Sequence, residues 1–400
     1  MPDNYANFEP GKVICALYKT RSWDDVGTLY DDIMQEIEYE KVEVIFPSKE
    51  TESKIGEIVL VHLTCQKPST VITAVGQLTV SPHVYHAEPN FLFNRHIIPN
   101  DPYYKDLWGL EAIKAPLAWD YTTGSAGIAV GVVDSGIDHN HPDIKGNMWP
   151  SHSEQHGWNF VGNNSDTTDT TGHGTHVAGT VGAVGDNAIG ITGVCWNVKV
   201  ASLKIGDTFF SLAAAIASIH FANTNNIPIL NNSWGGRFNS PSLEHAIEHY
   251  NGLYVASAGN EGVNSDYSPD YPASFDLDNI ISVAATNQDG TLTAFSNYGV
   301  KSVDIAAPGI DILSLSLQGG YSNQLGTSMA APHVAGAAAL LKSYKPGLTA
   351  LEIKDIILSS VDKYPNLEGK LLSGGILNVG AMFALFGRRV SPADSYNSTK

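Results

Sequence analysis

The chain has 400 residues, 43% of them apolar and 16% charged. That length fits two or three domains at about 150 residues each, and the composition excludes wholesale disorder. Lys+Arg 23 against Asp+Glu 41 leaves a formal charge of −18, which excludes a nucleic-acid partner held by clustered lysine and arginine. The acidity is read as solubility or as cation binding. No stretch approaches 18 consecutive apolar residues, so no membrane span or membrane partner is expected. Residues 1–10 carry acids and no apolar core, so no signal peptide is read there, and one removed before this numbering stays open. Cys15, Cys65 and Cys195 cannot form a disulfide framework; each lies in an apolar run and is read as a small hydrophobe.

In chain order, an apolar run at 12–18 is followed by a helix start with a capping box at Ser22 to Asp25. Val26, Leu29, Tyr30, Ile33 and Ile37 then recur at helical spacing. Strands are expected at 42–46 and 57–64, a second helix near 69–78, and a strand around 84–93. The order β-α-β-β-α-β suits a small α+β, ferredoxin-like domain with a split βαβ arrangement. Residues 90–102, with two prolines and several asparagines, read as an exposed linker. From Trp108 onward, runs at 128–133, 198–205, 227–230, 253–257 and 280–285 are apolar on both faces and alternate with helices at 211–223, 242–251 and 328–344. That pattern predicts an α/β domain with a doubly wound, mostly parallel sheet and right-handed crossovers. The expected divisions are 1–94, a linker over 95–107, a large domain over 108–390 and a polar tail over 391–400.

Three segments fit the carboxyl ends of strands or the starts of helices, where reactive groups collect in such sheets. Asp134 ends the apolar run Val130 to Val133; His173 stands between Gly172 and Gly174 ahead of Thr175, His176, Val177, Ala178 and Gly179; Ser328 follows Gly326 and Thr327 ahead of Met329, Ala330, Ala331, Pro332 and His333. A serine hydroxyl is a weak nucleophile until a histidine takes its proton, and the histidine needs a carboxylate to fix its tautomer. A serine at a helix start also offers its own N–H to a developing oxyanion. No Gly-x-Ser-x-Gly elbow, Walker loop or dinucleotide fingerprint is present. His245, Glu248 and His249 match a His-x-x-Glu-His metalloprotease pattern. Leu243, Ala246, Ile247 and Tyr250 make that helix amphipathic, so a solvated face is the better account. His152, His156 and His176 are read as loop or packing residues.

Those three segments, in the order Asp, His, Ser, resemble the signatures of the subtilisin-like serine proteases over residues 100–384. The resemblance implies a serine endopeptidase acting through an acyl-enzyme, with Asp134, His173 and Ser328 as triad and Asn260 as side-chain oxyanion donor. It assigns a substrate-binding edge to Ser233, Trp234 and Gly235, and the wall of the P1 pocket to Ser257, Ala258 and Gly259. The opposite edge, Gly206 to Phe210, departs from the glycine-rich pattern of the family. Asp270, just before Tyr271 and Pro272, would lie at the pocket base with Glu261 at the rim and favour Lys or Arg at P1; the alternative is an exposed loop acid.

The same resemblance implies structural Ca2+ held by Asp101, Asp143, carbonyls of Val184, Ile189 and Ile191, and Asn187 or alternatively Asp186. A second site in residues 159–169 is not expected, because Asn159, Gly162 and Asn164 stand where carboxylates would. The first domain resembles the inhibitory propeptide of these enzymes, cut in residues 91–100; the alternative is an unrelated ferredoxin-like binding domain that is never removed. A monomeric zymogen acting on protein or peptide substrates outside the cell is the implied whole, with a cytoplasmic location as alternative.

Overall fold

The computed structural model describes residues 8–19, 37–47, 54–91, 97–150 and 156–386. These fall into two compact units, which separate after residue 95. The expected first helix, all but Ile37, lies outside the described residues, as do residues 92–96, His152 and the polar tail.

The small unit contains strands β1 (Phe8–Tyr18), β2 (Tyr39–Phe46), β3 (Ile55–Leu63) and β4 (Val84–Phe91), with helix α1 (Pro68–Thr79). The strand order is β2-β3-β1-β4, and every neighbouring pair is antiparallel. Period-two alternation turns Val13, Cys15 and Leu17 of β1 and Val59, Val61 and Leu63 of β3 to one face. Val71, Ala74 and Leu78 cover that face at helical spacing. This is the ferredoxin-like arrangement the element order implies.

In the large unit the strands are β5 (Gly124–Asp134), β6 (Gly157–Asn159), β7 (Asn197–Lys204), β8 (Ile229–Asn232), β9 (Leu253–Ser257), β10 (Ile280–Thr286), β11 (Ile305–Pro308), β12 (Ile312–Ser316), β13 (Gly320–Gln324), β14 (Asp362–Lys363) and β15 (Gly375–Ile376). The helices are α2 (Trp108–Ala112), α3 (Ala115–Trp119), α4 (His173–Gly182), α5 (Leu212–Thr224), α6 (Pro241–Glu248), α7 (Thr327–Tyr344), α8 (Ala350–Ser359) and α9 (Val379–Ala384). The main sheet runs β14-β15-β11-β10-β9-β8-β5-β7-β6, parallel throughout except β14 against β15. Successive residues face opposite sides. Val130 and Val132, Val200, Leu253 and Val255 pack under α4 and α7. Val133, Ala201 and Leu203, Tyr254 and Ala256 pack against α5 and α6. Both faces are thus covered, as a parallel sheet requires.

Strand β5 lies between β7 and β8, so the winding reverses beside it. That reversal opens a crevice at the carboxyl ends of the central strands. Helix starts follow local chemistry: the Ser211 hydroxyl accepts from Ala214 N and that of Ser240 from Leu243 N. Thr349 and Glu352 form a capping box that the sequence reading did not single out. Alanines at 330, 331, 335 and 337–339, all fully buried, let α7 lie close on the sheet.

The linker expected up to residue 107 is corrected by the structure from Ile97 onward. Ile97 N donates to Asp120, Asn100 N donates to Asp186, and Tyr103 N donates to the Gly190 carbonyl; Leu107 is buried. Most of these residues stay exposed, but their polar groups bond to the large unit, so the segment belongs to it. Cys15 and Cys195 are buried, whereas Cys65 is half-exposed, contrary to its reading as a packed hydrophobe. Among the described residues no helix is long and apolar enough to cross a membrane.

Candidate active site

Asp134 is the last residue of β5 and is fully buried. Its carboxylate accepts from Ser135 N at 2.7 Å and from His173 Nδ1, which lies 2.8 Å from Oδ1 and 3.0 Å from Oδ2. His173 opens α4, and the helix approaches β5 closely at the next residue. A Cβ on Gly174 would come within 2.2 Å of the Gly136 carbonyl oxygen, so only glycine fits. Nδ1–H donation to Asp134 leaves the Nε2 lone pair as the basic position. Burial alone would lower the imidazole pKa, but the Asp134 charge and hydrogen bond outweigh it, and the net shift is upward from 6.5.

Ser328 lies in the first turn of α7, where N–H groups have no intrahelical acceptor. Its Oγ donates to the Ser233 carbonyl at 3.0 Å rather than to His173. Pro332 explains the reciprocal contact. Without an N–H it cannot bond to the carbonyl four residues back, so the Ser328 carbonyl accepts from Ser233 Oγ at 2.8 Å. The end of β8 is thereby tied to the start of α7. Asn260 is exposed, and its Oδ1 accepts from Thr327 N at 2.9 Å and Thr327 Oγ1 at 3.0 Å. With the oxygen held this way, Nδ2 is the end left to donate.

Ser233, Ser257 and Ala258 are buried, Trp234 and Gly259 are half-buried, and Gly235 is exposed. They follow or end adjacent strands β8 and β9. Asp270 is 5% exposed, which removes the reading of it as an exposed loop acid. Glu261 is exposed, and its Oε2 accepts from Asn297 Nδ2 at 2.8 Å. In the departing loop Gly206 bridges to Phe210, Asp207 bonds to Lys204 and Thr170, and Phe209 stands 87% exposed.

Sequence reasoning missed Asp169 and Ser135. Buried Asp169 accepts from Ser135 Oγ and from the backbone N–H groups of Thr171, Gly172 and Thr175, and from both threonine hydroxyls. Ser135 Oγ in turn accepts from Gly174 N. Burial works against the charge of Asp169, yet these donors hold its pKa below the ordinary 3.8. Together they fix the loop that delivers His173 to Asp134. The available signal was an Asp just ahead of a helix start, with Thr at two and six residues beyond it. His176 is fully buried; its Nε2 donates to the Ile312 and Ser322 carbonyls, and burial lowers its pKa to about 4. That is the packing role the sequence implied.

A second acidic cluster joins Asp101 (4% exposed) and Asp143 (0%). Asp101 accepts from the N–H groups of Asp186 and Asn187; Asp143 accepts from Asn187 Nδ2, Ile191 N and the Tyr321 hydroxyl. Burial first, then like charge, shifts both carboxyls upward. Neither has a Lys or Arg partner among the described residues. Two buried, mutually repelling carboxylates fit a cation held by oxygen ligands. In residues 159–169, Asn159 spends its amide on the Asp166 carbonyl and on the N–H groups of Val161 and Gly162, so that loop closes on itself. His245, Glu248 and His249 do converge, with ligand atoms within 4.8 Å, but all three are exposed while Leu243 and Ile247 face the core.

Residues 125–375 match the Subtilase family, Peptidase_S8. A thermophilic serine proteinase of Bacillus sp. (strain AK1) is 38% identical over 74% of this chain and 72% of its own length. Thermitase of Thermoactinomyces vulgaris is 37% identical over 66% of this chain and 92% of its own. Subtilisin DY of Bacillus licheniformis is 35% identical over 68% and 97% respectively. A solved structure described as proteases from Pseudoalteromonas arctica PAMC 21717 superposes with a TM-score of 0.64 at 30% identity, covering 72% of this chain and 99% of that one.

Proposed function

Starting from the fact that this chain belongs to the subtilase family and is a serine endopeptidase, we propose that Asp134, His173 and Ser328 cleave peptide bonds with Asn260 as oxyanion donor. The observation that carries the reading is the pairing of buried Asp134 with half-buried His173 on the same sheet crevice as the start of α7. Ser328 Oγ leaves the Ser233 carbonyl, gives its proton to His173 Nε2 and attacks the scissile carbonyl carbon. The tetrahedral oxyanion takes hydrogen bonds from Ser328 N–H and Asn260 Nδ2. Collapse breaks the C–N bond, and the leaving amine takes the proton from His173. Water, deprotonated by the same Nε2, then releases the acid and restores Ser328.

Ser233, Trp234 and Gly235 offer an edge to which an extended substrate adds as a strand. Ser257, Ala258 and Gly259, with Asp270 beneath, form the P1 pocket. Asp101, Asp143, Asn187 and the carbonyls of Val184, Ile189 and Ile191 would hold Ca2+, which when bound neutralises the paired acids and ties residues near 101 to the loop at 184–191.

The small unit is assigned the role of an inhibitory propeptide in a self-processing, monomeric, exported zymogen. Its strand order and ferredoxin-like topology suit that role. The cut is proposed within residues 91–100, ahead of the part that Ile97 and Asn100 bond to the large unit. One comparison tests the whole. Wild type should hydrolyse casein, label with a fluorophosphonate and shed its amino-terminal segment. Ser328→Ala should do none of these, with kcat reduced about 10⁶-fold. Equal behaviour of the two proteins would refute the assignment.

A further inference from the structure

The carboxylate of Asp270 is buried, and its Oδ1 has no hydrogen-bond partner. It presses against one proposed pocket wall: a Cβ on Gly235 would come within 2.1 Å of that oxygen. The other wall carries an acid as well, since Glu261 Oε2 lies 2.9 Å from where a Cβ on Gly259 would stand. Each wall therefore presents a glycine with a carboxylate oxygen immediately behind it. Arg237, the nearby cation, is exposed and forms no ion pair within 4 Å among the described residues. Burial first, and then the Glu261 charge, push the Asp270 carboxyl up to about 6 against the opposing pull of Arg237. The carboxylate takes one backbone hydrogen bond, from Gly236, but a buried oxygen without a donor is costly, and an apolar ligand would leave Oδ1 so.

We propose that Asp270, with Glu261 at the rim, makes this pocket select substrates with arginine or lysine at P1. The inference rests on the substrate walls proposed above and adds the chemical class they accept. A guanidinium supplies several planar donors to the open Oδ1 and relieves the repulsion between the two acids. A leucine or phenylalanine of similar reach supplies neither, so discrimination comes as much from rejecting apolar side chains as from gripping basic ones.

The test uses the full-length chain after self-processing and matched peptide amides that differ only at P1. kcat/KM for Arg and Lys should exceed that for Leu and Phe by at least about tenfold. Asp270→Asn should lower the Arg/Leu ratio about 100-fold, and Glu261→Gln about fivefold. If Asp270→Asn does not fold, the wild-type ratio and the Glu261→Gln variant decide the matter. A wild type that labels at Ser328 yet prefers Leu or Phe overturns the inference and leaves the catalytic assignment standing. An Arg preference undiminished in both variants also overturns it. Failure to cleave any peptide, with Ser328 unlabelled, overturns both.

Discussion

The buried acids of the large unit fall on two sides of one comparison, bonded in opposite ways. Around Asp134 and Asp169 the carboxylate oxygens meet donors: His173 Nδ1 and Ser135 N at the first, and six groups on Ser135, Thr171, Gly172 and Thr175 at the second. At Asp270 one oxygen meets none, and at Asp101 and Asp143 the donors are neutral N–H and O–H groups that leave two like charges together. A carboxylate whose donors are built in holds geometry. One whose charge is left uncompensated has room for a ligand, whether a metal ion or a side chain. Substitutions on the first side should therefore cost rate and stability, and on the second side affinity and selectivity.

Among the acids the largest effect should come from Asp134→Asn, with kcat down about 10⁴-fold as the imidazole tautomer is lost. Its pH profile sharpens the point. Asp134 holds the His173 pKa above 6.5, so wild-type kcat/KM should fall on the acid side around a midpoint above that value. In the variant burial is opposed only by the charge of Asp169, and the midpoint should move down; an unmoved midpoint would break the assignment. Asn260→Ala should lower kcat by about 10²–10³, a range established on a subtilisin donor of the same kind, with KM little changed.

Asp169→Ala should destabilise the large unit by about 2–4 kcal/mol, measured by denaturant unfolding of the Ser328→Ala protein, because several buried N–H groups lose their acceptor. Since its pKa is depressed below 3.8, its stabilisation is full above that value and is lost as pH falls through the lower folded value. The smallest effect should follow chelation. Removing Ca2+ bound at about 100 times its Kd costs about 2.7 kcal/mol, or roughly 5–10 °C in Tm for a unit of this size. Asp143→Ala should show the lower Tm already and no further response to chelator; a full response would place the ion elsewhere.

Much of this was legible because it is local. Asp134 closes an apolar run, His173 and Ser328 open helices, and a resemblance to a known family joined them. The sheet's central strands were readable for the same reason, whereas β14 and β15, two residues each, carry no pattern of their own. What escaped depends on partners distant in sequence. Asp169 matters through Ser135, 34 residues earlier. The Ser233–Ser328 tie needs a carbonyl that Pro332 sets free, across 95 residues. Asn100 and Asp101 looked like linker because their partners, Asp186 to Ala188, lie more than 80 residues on. Asp270 was placed at the pocket base by resemblance, but only packing could decide between a buried acid and an exposed one.

The unequal burial of the three thiols turns the small unit into its own reporter. Cys15 is buried with its thiol pushed up to about 12, and Cys195 is buried and shifted upward too. Cys65 is half-exposed, and hydrogen bonds from Thr70 and Lys67 shift it downward. A maleimide dye at neutral pH should therefore mark one position in the native chain, and that position is in the amino-terminal segment. Fluorescence anisotropy of that single label would then follow the segment's release in real time, without any substitution in the sequence.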